Sequence, residues 1–474
     1  MVSVPQKRKP KMFDTALRID ADGPGGIATV NNLRFLATSA AYTMERMRPF
    51  HDQPVVPVTG RNGSIVVLLG ETPVREFFND NDTFHRAGEE VFQLPHGRPW
   101  SGMFQASISF NGDEHRRRRR LLMPVVQKSA LDHYRETFTE TYAASRFAAD
   151  AGAVTGAGKP FDAVAELLRI SQANMLRCLL GLPVTPENIQ LAEEIVSLTQ
   201  RLFSPGVVLL RWDRPFTPYG RWLGDVAAAY EALAKLIEQR RGEDQRPDAL
   251  SILCNTTDED GDFLSTDEIA GELHAFFSAG FETTAMTMTW ALVAALGSGR
   301  VEELTSADGV DATVKESQRV LPAVPIALPR HTTREVSVGG SAVIPAGAMV
   351  VTSAMVEQHR PQAYPEPFRY RPERWRDGTV PKPWEFFPFG LGARRCLGAA
   401  FADLQARETL GLIGAEPRLP HLLTRAIDYR MKSGVVAAPT KPVMITYGEA
   451  PAVAWPITGG ITRYWHPDTS DQGS

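Results

Sequence analysis

The chain has 474 residues, 43% hydrophobic and 22% charged, an ordinary globular composition with ample material for a large core. Its 51 lysines and arginines stand against 55 aspartates and glutamates, and the net charge of -4 gives no global case for nucleic-acid binding. The three cysteines, Cys178, Cys254 and Cys396, are odd in number and far apart, which argues against a disulfide framework and for a reducing compartment.

The N-terminal segment opens with Met1-Val2-Ser3-Val4-Pro5 and a basic cluster, Lys7, Arg8, Lys9 and Lys11. It has no apolar run long enough for a signal or a transmembrane segment, so a soluble, cytoplasmic protein is expected. No Gly/Ser-rich or Pro-rich linker splits the chain. One large domain is expected over residues 51–450, with an N-terminal extension over 1–50 and an irregular C-terminal tail over 451–474.

Residues 54–69 carry two apolar runs, Pro54 to Val58 and Ile65 to Leu69, around Arg61-Asn62-Gly63, the pattern of a β-hairpin. Thr72 is the expected cap of a short helix with Pro73 at its first position. From 128 to about 240 the pattern is helical, with breaks expected at Gly181-Leu182-Pro183, Ser204-Pro205-Gly206 and Pro218-Tyr219-Gly220. The longest helical pattern starts at Ser265, with Glu268 completing a capping box, and stops at Leu296-Gly297. A helix of that length spans the domain and must cross its core. Beyond it come a short helix around Glu316, a hairpin from Val336 to Val351 and an irregular Pro-rich stretch from 361 to 390.

Three constellations carry chemistry. Phe389-Gly390-Leu391-Gly392-Ala393-Arg394-Arg395-Cys396-Leu397-Gly398 sets one cysteine on a glycine-jointed loop that runs into a helical pattern. The N-terminal N–H groups and dipole of that helix favour a thiolate. Gly392 and Gly398 allow unusual backbone angles and close approach of a flat ligand, and Arg394 offers a cation to an anionic substituent of it. In the long helix, Ala275, Ala279 and Thr283 fall at i, i+4 and i+8, so a stripe of small side chains ends in a hydroxyl. Such a stripe alone is more often a packing face. Glu282, an acid beside that alcohol, and Gly280, costly in mid-helix, are harder to read as packing. Glu316 and Arg319 share a helical face, and Arg374 follows in Pro372-Glu373-Arg374-Trp375. On its own such a pair is a weak signal.

The spacing F-x-x-G-x-R-x-C-x-G, the segment Ala279 to Thr284, the Glu316/Arg319 pair and Arg374 together resemble the cytochrome P-450 superfamily, in its soluble bacterial form. That resemblance spans about residues 54–447 and implies a mainly α fold, a helical bundle with a long central helix and a small β-rich subdomain. It further implies a b-type haem (heme b) whose iron is held by Cys396, a thiolate that favours O–O cleavage. Phe389, Gly392, Gly398 and Ala279 would line that group. By the same resemblance Gly280 leaves room for dioxygen, Thr283 hydrogen-bonds at the oxygen site, Glu282 brings protons, and Glu316, Arg319 and Arg374 hold the region leading to the cysteine.

His115, Arg119, Arg330 and Arg394 match contacts to the haem carboxylates. Arg116, Arg117 and Arg120, from the run His115 to Arg120, are expected to face outward and meet an acidic electron donor. The implied reaction inserts one oxygen atom of O2 into a lipophilic substrate, with electrons from NAD(P)H through a ferredoxin or flavodoxin and its reductase. A peroxide-driven or rearranging enzyme and a haem sensor are the alternatives. The implied substrate pocket is lined by residues 89–108, His274 to Ala279, Ala323 to Leu328 and the loop around Gly434. Gln405 departs from the family, many members of which have Glu there.

Overall fold

The structure, a computed structural model, describes residues 48–50, 52–61, 65–86, 105–152, 159–202, 204, 206–207, 212–340, 342–378, 380–432, 435–447 and 458–459. Twelve α-helices are present among them: α1 Glu71–Asn79, α2 Gly112–Leu122, α3 Lys128–Ala143, α4 Arg146–Ala151, α5 Ala163–Met175, α6 Pro186–Leu202, α7 Pro218–Arg241, α8 Ala249–Asn255, α9 Thr266–Gly297, α10 Ala307–Val320, α11 Ala354–Glu357 and α12 Ala399–Ala415. The terminal segments 1–47 and 460–474, most of the implied pocket segment 89–108 and Gly434 lie outside the described residues.

Helix α9 is buried on almost every side, as a helix that crosses a core must be. It packs against α5, α6, α7, α10 and α12. Its start follows from local chemistry: Ser265 caps the N-terminus and the Glu268 side chain reaches back to the Ser265 N–H at 2.6 Å. Two apolar cores flank it, one around Trp290, Leu167 and Leu410, the other around Trp222, Phe277 and Phe138. No helix among the described residues is long and apolar enough to cross a membrane.

A five-stranded sheet in the order β1-β2-β8-β5-β3 packs a third core beside the helices. Its strands are β1 Val55–Arg61, β2 Ile65–Leu68, β3 Phe84–Arg86, β5 Arg330–Thr332 and β8 Met349–Thr352; β4 Phe161–Asp162 lies in another sheet. Strands β1 and β2 form the hairpin read from the sequence. The second expected hairpin is shorter than the apolar pattern suggested. Only β6 Val336–Val338 and β7 Ala342–Ile344 pair locally, whereas β8 runs parallel to β2 and antiparallel to β5. Apolar alternation marks a strand but does not choose its partner. The remaining strands are β9 His421–Leu422, β10 Tyr429–Lys432, β11 Val436–Pro439 and β12 Met444–Thr446.

Two helix ends differ from the sequence reading. Helix α1 is capped at Gly70 rather than Thr72, and the Gly70 N–H donates to Glu357 at 2.8 Å. Pro218-Tyr219-Gly220 starts α7 instead of breaking a helix, because the Thr217 hydroxyl accepts from the Gly220 N–H at 2.9 Å and Pro218 needs no partner at the first position.

The irregular stretch before Cys396 is held by one buried carboxylate. Arg319 donates to both oxygens of Glu316 at 2.9 Å, and Arg374 donates to it at 3.1 Å. The Trp375 indole and the Arg371 N–H add bonds at 3.0 and 2.8 Å. The guanidiniums spend their other donors on backbone carbonyls of Gln358, Pro367 and Pro365. Glu316 and Arg319 are fully buried, so these bonds are charge-assisted in a dry setting. Glu316→Ala would strand two buried cations and is expected to cost about 3–5 kcal/mol, read from the urea midpoint. A loss under about 1 kcal/mol would show that the stretch is held by other contacts.

Candidate active site

Cys396 stands just before α12, whose N-cap is Gly398. Its N–H donates to the Phe389 carbonyl at 2.8 Å, closing the loop on itself. Gly392 has φ +65°, and a Cβ there would meet the Phe78 carbonyl at 2.6 Å, so only glycine fits. Gly398 does not follow that reading: its φ is -78° and a Cβ would meet nothing within 4 Å. The space beside the sulfur is open at that position.

The sulfur feels opposed influences. Burial pushes its pKa up and is the largest; the Gly398 N–H, Arg119 and Arg395 draw it down. Its surface is nonetheless accessible, so the thiol is sunk in the protein and open on one side. Cys178, by contrast, is enclosed and burial pushes its pKa up to about 12, which makes it inert. Cys254 is buried too.

Around this opening the structure gathers basic side chains. His115 on α2 is buried, and its pKa is lowered to about 4 by burial and then by Arg394, Arg119, Arg330 and Arg116. Arg330 is brought down to about 9 by burial, Arg394 and Arg86, and Arg394 to about 10 by burial, Arg86 and Arg119. Arg86 was not among the sequence candidates. It sits opposite Arg330 in the β3–β5 register, a pairing that sequence alone cannot reveal, and like charges directly opposite repel. Both Arg86 and Arg394 keep a buried Nε without a partner. Neither Arg86, Arg119, Arg330 nor Arg394 has a carboxylate partner among the described residues. Arg330 and Arg394 bond instead to oxygens of Phe77, Phe110 and Asn111.

The arginine run divides differently from expectation. Arg118, not singled out from the sequence, is buried and clamps Glu114 and Glu268 at 2.6 and 2.5 Å, tying α2 to α9. Arg116 pairs with Asp113, Arg117 with Asp258 at 2.7 Å, and Arg120 with Glu259 at 3.3 Å. Each of the three carries an acid of its own, and Arg116 and Arg120 are exposed. Arg119 is within electrostatic reach of both Cys396 and Glu272, so α2 bridges the cysteine loop and the long helix.

On α9, Ala279 is exposed, and Ala275 and Thr283 are half-buried, in mid-helix where most neighbours are buried. This is the i, i+4, i+8 stripe, and it is an accessible face. The Thr283 hydroxyl donates to the Ala279 carbonyl at 2.6 Å. Glu282 is buried and ion-paired with Lys432 on β10, a partner that nothing in the sequence linked to it. A Cβ at Gly280 would meet the end of the Met175 side chain at 2.6 Å, so α9 packs closely on α5 at this point. The Ser171 hydroxyl of α5 also donates to the Phe281 carbonyl at 2.8 Å.

Behind this face lies His274, buried, with its pKa lowered to about 4 by burial alone. The unfolded chain therefore binds a proton that the folded chain refuses between pH 6.5 and about 4. The stabilisation is full above pH 6.5 and is lost as pH falls through that window, at up to about 1.4 kcal/mol per pH unit. The stability difference between wild type and His274→Gln is expected to move against wild type by that slope in urea titrations. A constant difference would mean that His274 titrates normally.

The Cytochrome P450 family profile matches residues 23–298 and 300–413. "Putative cytochrome P450 138" of Mycobacterium tuberculosis (strain ATCC 25618 / H37Rv) is 30% identical over 332 residues, covering 64% of this chain and 70% of that protein. The retinoic-acid-bound cyanobacterial CYP120A1 superposes with TM-score 0.67 at 20% identity, over 85% of this chain and 92% of that one. A mutant cytochrome P450DA heme domain superposes with TM-score 0.72 at 18% identity, over 91% of this chain and 98% of that one. These two share the fold.

Proposed function

The chain belongs to the cytochrome P450 family, the haem-thiolate monooxygenases, and from that premise we propose that Cys396 is the axial ligand of its haem. The carboxylates of that group would be received by His115, Arg119, Arg330 and Arg394, joined by Arg86. What carries this reading is the accessible Cys396 sulfur beside a cluster of cations that repel one another. Two carboxylates in the cluster would relieve that repulsion and give the orphaned Nε groups of Arg86 and Arg394 a partner. Phe389, Gly392 and Gly398 form the loop against which the flat group would lie, with Ala279 on the opposite side. When bound, the haem supplies the iron at which O2 is split, and the protein's own groups bind, orient and deliver protons.

Thr283 holds its hydroxyl proton on the Ala279 carbonyl and leaves its lone pairs toward the accessible face. Glu282, one residue earlier and anchored by Lys432, is the proton carrier of the pair. The substrate is a lipophilic organic molecule, since Phe276, Val324, Ile326 and Leu328 are half-buried and apolar; CYP120A1, a structural neighbour, is bound to retinoic acid. Electrons come from NAD(P)H through a separate ferredoxin or flavodoxin and its reductase. The acid–alcohol pair favours this over a peroxide-driven or rearranging enzyme, which has no need of it.

Cys396→Ser is expected to abolish the red-shifted carbon monoxide band of the reduced protein, while replacement of Cys178 or Cys254 leaves it in place. A band that survives the Cys396 change would remove this cysteine as the ligand. Thr283→Ala is expected to keep consuming NADH while product per NADH falls sharply, and Glu282→Gln to lower turnover on the order of a hundredfold. Coupling and turnover equal to wild type in both variants would put the proton path elsewhere.

A further inference from the structure

Three helices meet at a buried polar chain next to the accessible face of α9. Tyr230 on α7 bonds His274 Nδ1 at 2.9 Å, His274 Nε2 bonds the Thr199 hydroxyl of α6 at 2.7 Å, and Thr199 bonds the Ser278 hydroxyl at 2.9 Å. Tyr230 and His274 are buried, whereas Thr199 and Ser278 are half-buried. At 100° per residue Ser278 lies about 60° around the helix from Ala275, on the flank turned toward α6, with Glu282 between it and the face formed by Ala275, Ala279 and Thr283.

The direction of this chain is decided at its buried end. A neutral imidazole has one donor and one acceptor nitrogen, and His274 is neutral near pH 7 because burial lowers its pKa to about 4. If Nδ1 carried the proton, the Tyr230 oxygen would accept it and the phenolic O–H would be left without a partner in a fully enclosed site. That costs about 1–3 kcal/mol. If Tyr230 donates to Nδ1, then Nε2–H donates to Thr199, whose own proton is free to go to Ser278. Every buried proton is then used. With Thr199 donating to Ser278, the one left over is the Ser278 O–H, which among the described residues has no other partner.

We propose that Ser278 is the polar anchor of the substrate site, a single O–H donor aimed by the Tyr230–His274–Thr199 chain, and that the substrate carries an oxygen acceptor on an otherwise apolar frame. Carbonyl and ether oxygens are the class that fits. Ala275 and Ala279, accessible residues near it around the helix, offer apolar contact only, so a ligand gains direction from this one bond. A site built to donate discriminates against the analogue lacking the acceptor, because its hydroxyl is then desolvated and unpaired. This rests on the reading of the α9 face as the substrate side of the haem site.

Two measurements on the haem-loaded protein test it. In protein labelled with ¹⁵N-histidine, with His274 assigned by its loss in His274→Gln, the ring is expected to be the Nε2–H tautomer, and Tyr230→Phe to disturb that pattern. An Nδ1–H tautomer overturns the polarity and with it the proposal. In calorimetric titrations, menthone and methyl nonyl ketone are compared with p-menthane and undecane. At least one ketone is expected to bind about five- to tenfold tighter than its parent, the value of one hydrogen bond. Ser278→Ala should erase that preference without weakening the hydrocarbon, and Ser278→Thr should retain it. No ketone preference in wild type, or a preference that survives Ser278→Ala, overturns the proposal. The carbon monoxide band is recorded for each sample. Its absence from wild type would condemn the haem-thiolate reading, whereas its presence with a failed ketone test condemns only the anchor.

Discussion

The Glu316 carboxylate is the constraint on which the cysteine loop depends. Residues 361–390 have little regular secondary structure beyond the short turn at Pro372–Trp375, so their backbone carbonyls need donors from elsewhere. Arg319 and Arg374 supply them, and Glu316 accepts from both guanidiniums. A buried ion pair adds little net stability over an apolar core, but its bonds have fixed directions. Here those directions set the path of an irregular segment, and thereby the position of a sulfur that must stand in one place.

The sulfur's own surroundings are balanced rather than strongly activating. The α12 N-terminus and two arginines favour the thiolate, and burial opposes them more strongly. A metal cation opposite the sulfur would reverse that balance, since a coordinated thiol is deprotonated outright. The cations of α2, β3 and β5 make the complementary case. Their mutual repulsion is a cost that only an anion removes, and it is built on a sheet register, a helix and the cysteine loop together. Such a cluster has no use in a protein that binds nothing there.

Helix α9 serves both requirements because it is long enough to cross the core and still present one accessible face. Its buried sides carry polar groups that are tied to other elements: Glu282 to β10, His274 to α6 and α7, Glu272 to Ser107. Each tie fixes the rotation of the helix about its axis, so the exposed stripe is aimed as well as accessible. Met175 packs close to Gly280 on the α5 side of the same helix.

The local chemistry was legible in the chain itself. The cysteine loop, the Ser265–Glu268 capping box, the Ala275–Ala279–Thr283 stripe and the Glu316, Arg319 and Arg374 set all depend on short spacings or on residue types with narrow uses. The errors share one origin. Thr72, Pro218 and the Val336 to Val351 hairpin were misread because the partner that decides each lies far away in the chain or on a neighbouring element. Arg86, Lys432 and Arg118 were missed for the same reason: an arginine or lysine has no sequence mark that says which carboxylate, or which other cation, it will face. By itself the sequence determined the haem-thiolate family, the long helix and the glycine-jointed cysteine loop, because caps, helical periodicity and short spacings are local properties. Only the tertiary structure decided the cation cluster, the Glu282–Lys432 pair and the Tyr230–His274–Thr199–Ser278 chain, because ion pairs and buried hydrogen bonds are set by groups that folding brings together.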